Sequence, residues 1–201
     1  MNPNLAKIFI YPIKSLDGVA LDRVTILKSG AIARDRQWAL IDEKGRFVNG
    51  KSNYKIHLLR SHFNLDFKTI TLQIEGQEEK YHFNLETEKI ALESWLSKYF
   101  NLKVKLVEND LTGFPDDTNA NGPTIISTET IKEIASWYSD ISVEEMRSRL
   151  RANLEINGVP AFWEDRLFDR EDMPKKFKIG EVLFNGINPC QRCIVPTRNS
   201  Q

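Results

Sequence analysis

Cysteine is nearly missing from this sequence: 201 residues hold two, Cys190 and Cys193. That count excludes a disulfide-framed scaffold and a four-cysteine iron–sulfur cluster. Histidine is also scarce, and His57, His62 and His82 all lie far from the cysteines along the chain. Neither sign of charge is in surplus, with 28 Lys plus Arg against 28 Asp plus Glu. A dedicated nucleic-acid binder would carry a basic excess, so no nucleic-acid partner is expected. No apolar run approaches the roughly 20 residues that cross a bilayer, so no membrane association is expected. Met1-Asn2-Pro3-Asn4 lacks the basic region and apolar core of a signal peptide. These absences together point to a cytoplasmic protein with reduced thiols.

What remains is enough chain for one large domain or two small ones. Short apolar stretches broken by turn residues fill the first part. Strands are expected at Ala6 to Ile13, Val19 to Leu27, Arg34 to Asp42, Phe47-Val48, Lys55 to Leu59 and Leu65 to Ile74, with turns at Asp17-Gly18, Ser29-Gly30 and Glu75-Gly76-Gln77. In the third of these, a period of two puts Arg34, Arg36, Trp38 and Leu40 on one face. Unpaired charge is costly to bury, so the arginines either pair at a wet strand end or line an anion pocket.

From about Asn84 the period changes. Leu92, Trp95, Leu96, Tyr99 and Phe100 follow helical spacing, and their aromatics read as core. Leu102, Val104 and Leu106 alternate as a strand. Asn109 to Gly122 is a long polar loop, which reads as the division between two lobes or as a functional loop. Ser127 caps a helix carrying Ile131, Ile134, Ala135 and Tyr138. Ser142-Val143-Glu144-Glu145 opens a shorter helix that ends near Leu150. Arg151 to Ile156 reads as a strand closed by Asn157-Gly158, and Phe177 to Asn185 contains one more, around Gly180 to Phe184. The fold class expected is α+β, mostly β: two β-barrel-like lobes with a few packed helices and a cleft between them.

The cysteines stand in Asn188-Pro189-Cys190-Gln191-Arg192-Cys193-Ile194-Val195-Pro196. Two thiols beside a cation suit a soft metal or sulfur chemistry, because the guanidinium favours a thiolate. Three readings compete. Thioredoxin-like chemistry wants the first cysteine at a helix N-terminus, whereas Ile194-Val195-Pro196 favours extended chain. Structural zinc wants four ligands. Small buried residues are common for free cysteine, and on the pair alone that reading leads.

Other residues bear on the choice. Tyr11-Pro12-Ile13-Lys14-Ser15 with Gly18-Val19, then Gly30, Arg34-Asp35-Arg36-Gln37-Trp38, Asp42 and Gly45-Arg46-Phe47, resemble the N-terminal β-barrel domain that precedes a MOSC domain. Arg151-Ala152-Asn153, Glu164-Asp165, Ile179-Gly180 and Cys190-Gln191-Arg192-Cys193 resemble the MOSC domain itself, named for the C-terminal region of molybdenum cofactor sulfurases. The pieces match in order and approximate spacing over nearly the whole chain. The resemblance divides it into an N-terminal barrel-like domain, 1–109, and a MOSC domain, 110–201. Within the family the chain is similar to the mitochondrial amidoxime reducing component and its bacterial counterparts, which reduce N-hydroxylated compounds.

The resemblance implies a molybdenum cofactor, Mo-molybdopterin, with Cys193 as the metal ligand and the catalytic thiolate. It carries cofactor binding to Lys14, Ser15, Arg36, Arg151 and Asn153. Lysine offers a point charge to a phosphate and arginine a two-pronged grip. Cys190 becomes a neighbour that packs or tunes the site, and Glu164 and Asp165 read as structural carboxylates. The implied partners are an external electron donor, a flavoprotein or iron–sulfur protein, and a small N-hydroxylated substrate. Pyridoxal phosphate binding comes with the resemblance at family level only. A cofactor-binding or sulfur-carrier module without turnover is the alternative. Asn121-Gly122 stands where the family has two hydroxyl residues before Pro123, Leu150 where it has phenylalanine, and Ala152 where it has proline. The family also continues beyond the cysteine motif, whereas this sequence stops at Gln201, eight residues after Cys193, so a C-terminally incomplete MOSC domain is expected.

Overall fold

A computed structural model of the chain describes residues 2–66, 68–170 and 173–190. Its elements run β1 (Asn4–Ile10), β2 (Val19–Leu21), β3 (Trp38–Asp42), β4 (Leu59–Asn64), β5 (Thr69–Ile74), β6 (Lys80–Asn84), α1 (Lys89–Phe100), β7 (Val104–Glu108), β8 (Ile125–Ser127), α2 (Thr128–Ser136), α3 (Val143–Leu150), β9 (Leu154–Asn157), β10 (Lys175–Ile179) and β11 (Val182–Gly186). Short 3-10 turns lie at Tyr54–Leu58 and Trp163–Leu167. The fold is α+β and mostly β.

The described strands pair into four sheets, ordered β2-β1-β9-β8, β3-β7, β4-β5-β6 and β10-β11. The first draws strands from both sides of the expected division at 109/110. In it β1 runs antiparallel to β9, and β8 parallel to β9. Three apolar clusters hold these layers together. The largest joins β3, β4, β5 and β7 to the stripe of α1, where Leu92, Leu96 and Phe100 are buried. Each such side chain contributes on the order of 1.5–3 kcal/mol. Trp95 lies at the edge of this core against Tyr81 and Tyr99, with ring centroids 4.7 and 5.5 Å away. A second cluster packs α2 on α3 through Ile131, Ala135, Met146 and Leu150. A third, around Ile8, Ile10, Ile32 and Leu154, lies on the sheet shared by the two segments.

The helices begin where their hydroxyl caps are. Ser127 Oγ accepts from the Thr130 amide at 3.0 Å, and Ser142 Oγ from that of Glu145 at 3.1 Å. α1 ends at Asn101, whose φ of 54° is the left-handed stop that asparagine tolerates.

Several strand expectations are corrected: β2 stops at Leu21 rather than Leu27, Phe47 makes an isolated bridge to Ile41 instead of starting a strand, and β5 begins at Thr69 rather than Leu65. The third strand starts at Trp38, because Arg34 and Arg36 have φ of 67° and 48° and belong to a turn; period-two alternation does not reach them. Lys55 to Leu58 form the 3-10 turn, started by the Asn53 side chain accepting from the Lys55 amide at 3.1 Å. Arg151 stops α3 in the left-handed region, so the following strand begins at Leu154. Gly180, φ 59°, is the hairpin turn between β10 and β11 rather than a strand residue.

Candidate cofactor cleft

As the chain leaves β1 at Ile10, Pro12 lacks an amide hydrogen and the strand breaks. Tyr11 to Leu16 fold inward, with Tyr11, Ile13, Lys14 and Leu16 buried. The Tyr11 amide donates to Asp35 Oδ1 at 2.8 Å, and the Arg36 amide donates to the Tyr11 carbonyl, also at 2.8 Å. These bonds tie the Arg34–Gln37 turn to this segment and aim Arg36 at the Tyr11 ring, 5.0 Å from guanidinium carbon to ring centre. Arg151 approaches the same ring at 4.0 Å, and Tyr11 Oη donates to the Ala152 carbonyl at 3.3 Å. Gly18 leaves room for the ring: a Cβ there would meet it at 2.6 Å.

The loop after β7 brings the next wall. The Phe114 amide donates to the Arg36 carbonyl at 2.8 Å, and Gly113, φ 65°, permits the approach, since a Cβ on it would lie 2.5 Å from the Asp35 carbonyl oxygen. Lys14 Nζ donates to the Phe114 carbonyl at 2.9 Å and to Asp116 Oδ1 at 2.6 Å.

These pieces enclose a cleft of ≈ 1250 Å³. Lys14, Ser15, Arg36, Arg151 and Asn153 all line it, together with Cys190, although they come from well-separated stretches of sequence. Cys193 lies outside the described residues, as do Gln191 and Arg192. Asn153 differs from the other four. Its Nδ2 donates to the Phe9 carbonyl at 3.0 Å, and its Oδ1 accepts from the Thr124 amide and hydroxyl, each at 3.2 Å. Its carboxamide thus stitches β1 to the chain entering β8 and fixes the backbone beside Arg151. Arg34 turns away from the cleft, with Nη1 reaching the Leu65 carbonyl at 3.5 Å.

The electrostatics follow from burial. Loss of water pushes the Lys14 ammonium below its usual pKa; the Asp116 hydrogen bond resists, while Arg36 and Arg151 add to the fall. Burial lowers Arg151 in the same way, and Arg36 repels it, with the Tyr11 ring as its nearest compensation. Burial also works against the charge of Arg36, but the Asp35 carboxylate outweighs it and its pKa is raised. Desolvation opposes the Asp116 charge, yet Lys14 and then the two arginines hold its pKa below the carboxylate range. Arg151 Nη2 is buried with no hydrogen-bond partner among the described residues. A guanidinium nitrogen left so is expensive unless an acceptor arrives, so the donor set fits an anionic group such as a phosphate.

Sequence reasoning missed Tyr11 as the ring shared by two guanidiniums, Asp35 as the anchor of Arg36, and Asp116 as the partner of Lys14. The first two stand inside the quoted motifs, where the signal was available. Asp116 is one of many polar residues in its loop, and nothing local marks it.

Comparison with known proteins agrees with this architecture. The MOSC N-terminal beta barrel domain matches residues 2–141, and the MOSC domain matches residues 123–201. The chain belongs to the MOSC family. This MOSC chain is 20% identical to the molybdenum cofactor sulfurase of Homo sapiens, with 94% of the chain aligned to 26% of that protein. It is 24% identical to that of Oryza sativa subsp. japonica, covering 28% of it. With mitochondrial amidoxime reducing component 2 of Bos taurus it shares 24% identity, over 96% of the chain and 66% of the relative. The chain thus spans about a quarter of the sulfurases and less than two thirds of the reducing component. Among the described residues, no helix is long and apolar enough to cross a membrane.

Proposed function

We propose that this MOSC chain binds Mo-molybdopterin in the cleft and reduces N-hydroxylated compounds with electrons from an external flavoprotein or iron–sulfur protein. The observation that carries the reading is the convergence of Lys14, Arg36 and Arg151 on one cleft, with Arg151 Nη2 buried and lacking an acceptor among the described residues. Lys14, Ser15, Arg36 and Arg151 would hold the phosphate end of the cofactor. Asn153 would fix the backbone beside Arg151, and the Cys193 thiolate would bind the metal. When bound, such a cofactor supplies two electrons, which with two protons convert N–OH to N–H and water. The protein's part is to orient the group by fixed positive charge in a partly dry cleft, where such charges act strongly.

The sulfurases among the relatives favour a second reading. In it the chain holds the cofactor, or carries sulfur on Cys193, with no turnover of its own.

Expression in a host that makes the cofactor tests both. The enzyme reading expects molybdenum and pterin fluorescence near one equivalent after denaturation, and sustained reduction of an N-hydroxylated amidine when a reduced donor is supplied. Arg151→Met should lower both contents. Cys193→Ala should abolish reduction. Cofactor without reduction supports the carrier reading; full metal and full activity in Cys193→Ala removes the ligand assignment.

A further inference from the structure

The loop between β7 and β8 lines the cleft and is tied to two other segments that line it. Asp116 grips Lys14 on one side, at 2.6 Å; Asp117 accepts from Asn188 Nδ2 on the other, two residues before Cys190. The two carboxylates that neutralise the cationic group differ in kind. Asp35 is built in: its side chain is 13% exposed and holds both the Tyr11 amide and Arg36. Asp116 is 82% exposed and is held in the cleft by Lys14, whose own side chain is 9% exposed. An exposed aspartate thus sits as counter-ion on a buried ammonium.

We propose that Asp116 is an internal anion occupying the phosphate position of the cleft, and that a dianionic ligand must displace it to bind. The inference rests on the reading of Lys14, Arg36 and Arg151 as an anion subsite. Charge balance gives the ligand class. Lys14, Arg36 and Arg151 face Asp35 and Asp116, and the nearby Asp17 is paired with Arg60 at 3.4 Å, so this cluster keeps one positive charge in excess. A monoanion that replaces Asp116 leaves that excess unchanged and gains little. A phosphate monoester with two negative charges cancels it, and its extra oxygens supply the acceptor that Arg151 Nη2 lacks among the described residues. Asp116 therefore selects for doubly charged phosphate over singly charged ions at the Lys14–Arg36–Arg151 cluster.

The test is calorimetric titration of the cofactor-free protein with phenyl phosphate, at low salt and about pH 8, where a monoester is a dianion. Dimethyl phosphate, a monoanion, is the comparison ligand. The wild type should bind the dianion about tenfold more tightly than the monoanion. Asp116→Asn, a change at an exposed side chain, should tighten phenyl phosphate binding about fivefold or more, with the gain shrinking as salt is raised. Adding Lys14→Met to Asp116→Asn should then weaken it again. Equal or weaker binding by Asp116→Asn, equal affinity of the wild type for the two ligands, or no binding by either protein overturns the proposal. If Asp116→Asn binds more tightly but Lys14→Met changes nothing in that background, the anion-subsite reading itself fails. If Lys14→Met weakens binding but Asp116→Asn brings no gain, only the internal-anion role is lost.

Discussion

Arg151 holds its guanidinium carbon 4.0 Å from the centre of the Tyr11 ring, at the point where the N-terminal segment meets the turn that ends α3. The ring is also 5.0 Å from Arg36, so one aromatic face system serves two like charges that repel each other. Tyr11→Phe should cost about 0.5–1.5 kcal/mol, the worth of the lost bond to the Ala152 carbonyl. Tyr11→Leu removes the ring as well and should cost about 1–2 kcal/mol more. Urea unfolding of the two variants reads the difference; equal losses would mean that the stacking contributes nothing.

Lys14 makes stability depend on alkaline pH. Its folded pKa lies below 10.5, chiefly through burial, so the unfolded chain binds this proton more tightly. Stability therefore rises with pH across the window from the lowered pKa up to 10.5, as the folded protein releases a proton that opposed folding. Lys14→Met should remove this rise. The difference between wild-type and variant denaturation midpoints, followed from neutral pH to pH 10.5, isolates it from other titrating groups.

Glu155 is 3% exposed and takes two bonds from Arg147, at 2.6 Å from Nε and 3.1 Å from Nη2, with Thr128 Oγ1 at 2.9 Å. This pair locks α3 and the start of α2 to β9, the strand that follows Asn153. Glu155→Ala strips Arg147 Nε and Nη2 of their carboxylate and leaves the guanidinium only its Nη1 bond to the exposed Glu144, at 3.2 Å, so it should cost about 1–3 kcal/mol. Thermal unfolding checks it, and a loss under about 1 kcal/mol would show the pair to be no stronger than a surface bridge.

Gly113→Ala should act at a distance on the cleft. The added Cβ meets the Asp35 carbonyl at 2.5 Å, and the φ of 65° is strained for alanine. Relief requires the loop to draw away from Arg36 and carry Asp116 from Lys14. A loss of about 1–3 kcal/mol in stability is expected, together with a Lys14 pKa, read by NMR titration, that moves from its wild-type position.

The sequence by itself determined the class of the fold and named candidate site residues. Period two gave β1, β3 and β7, period 3.6 gave α1 and α2, and the serine caps marked the starts of α2 and α3, because side-chain spacing and capping are local. Lys14, Ser15, Arg36, Arg151 and Asn153 were named from motifs, and all five line the cleft. Their arrangement was not local. Arg36 faces the cleft because backbone bonds to Tyr11 and Phe114 hold it in a left-handed turn, not because of strand alternation. Asn153 was named for cofactor contact, yet its carboxamide is engaged by Phe9 and Thr124. Asp116 reaches Lys14 only because β7 and Gly113 carry its loop back across the chain. Only the tertiary structure decided which charges are buried, which are paired and which arginine nitrogen lacks an acceptor among the described residues, because desolvation and pairing depend on segments that meet in space from opposite ends of the polypeptide.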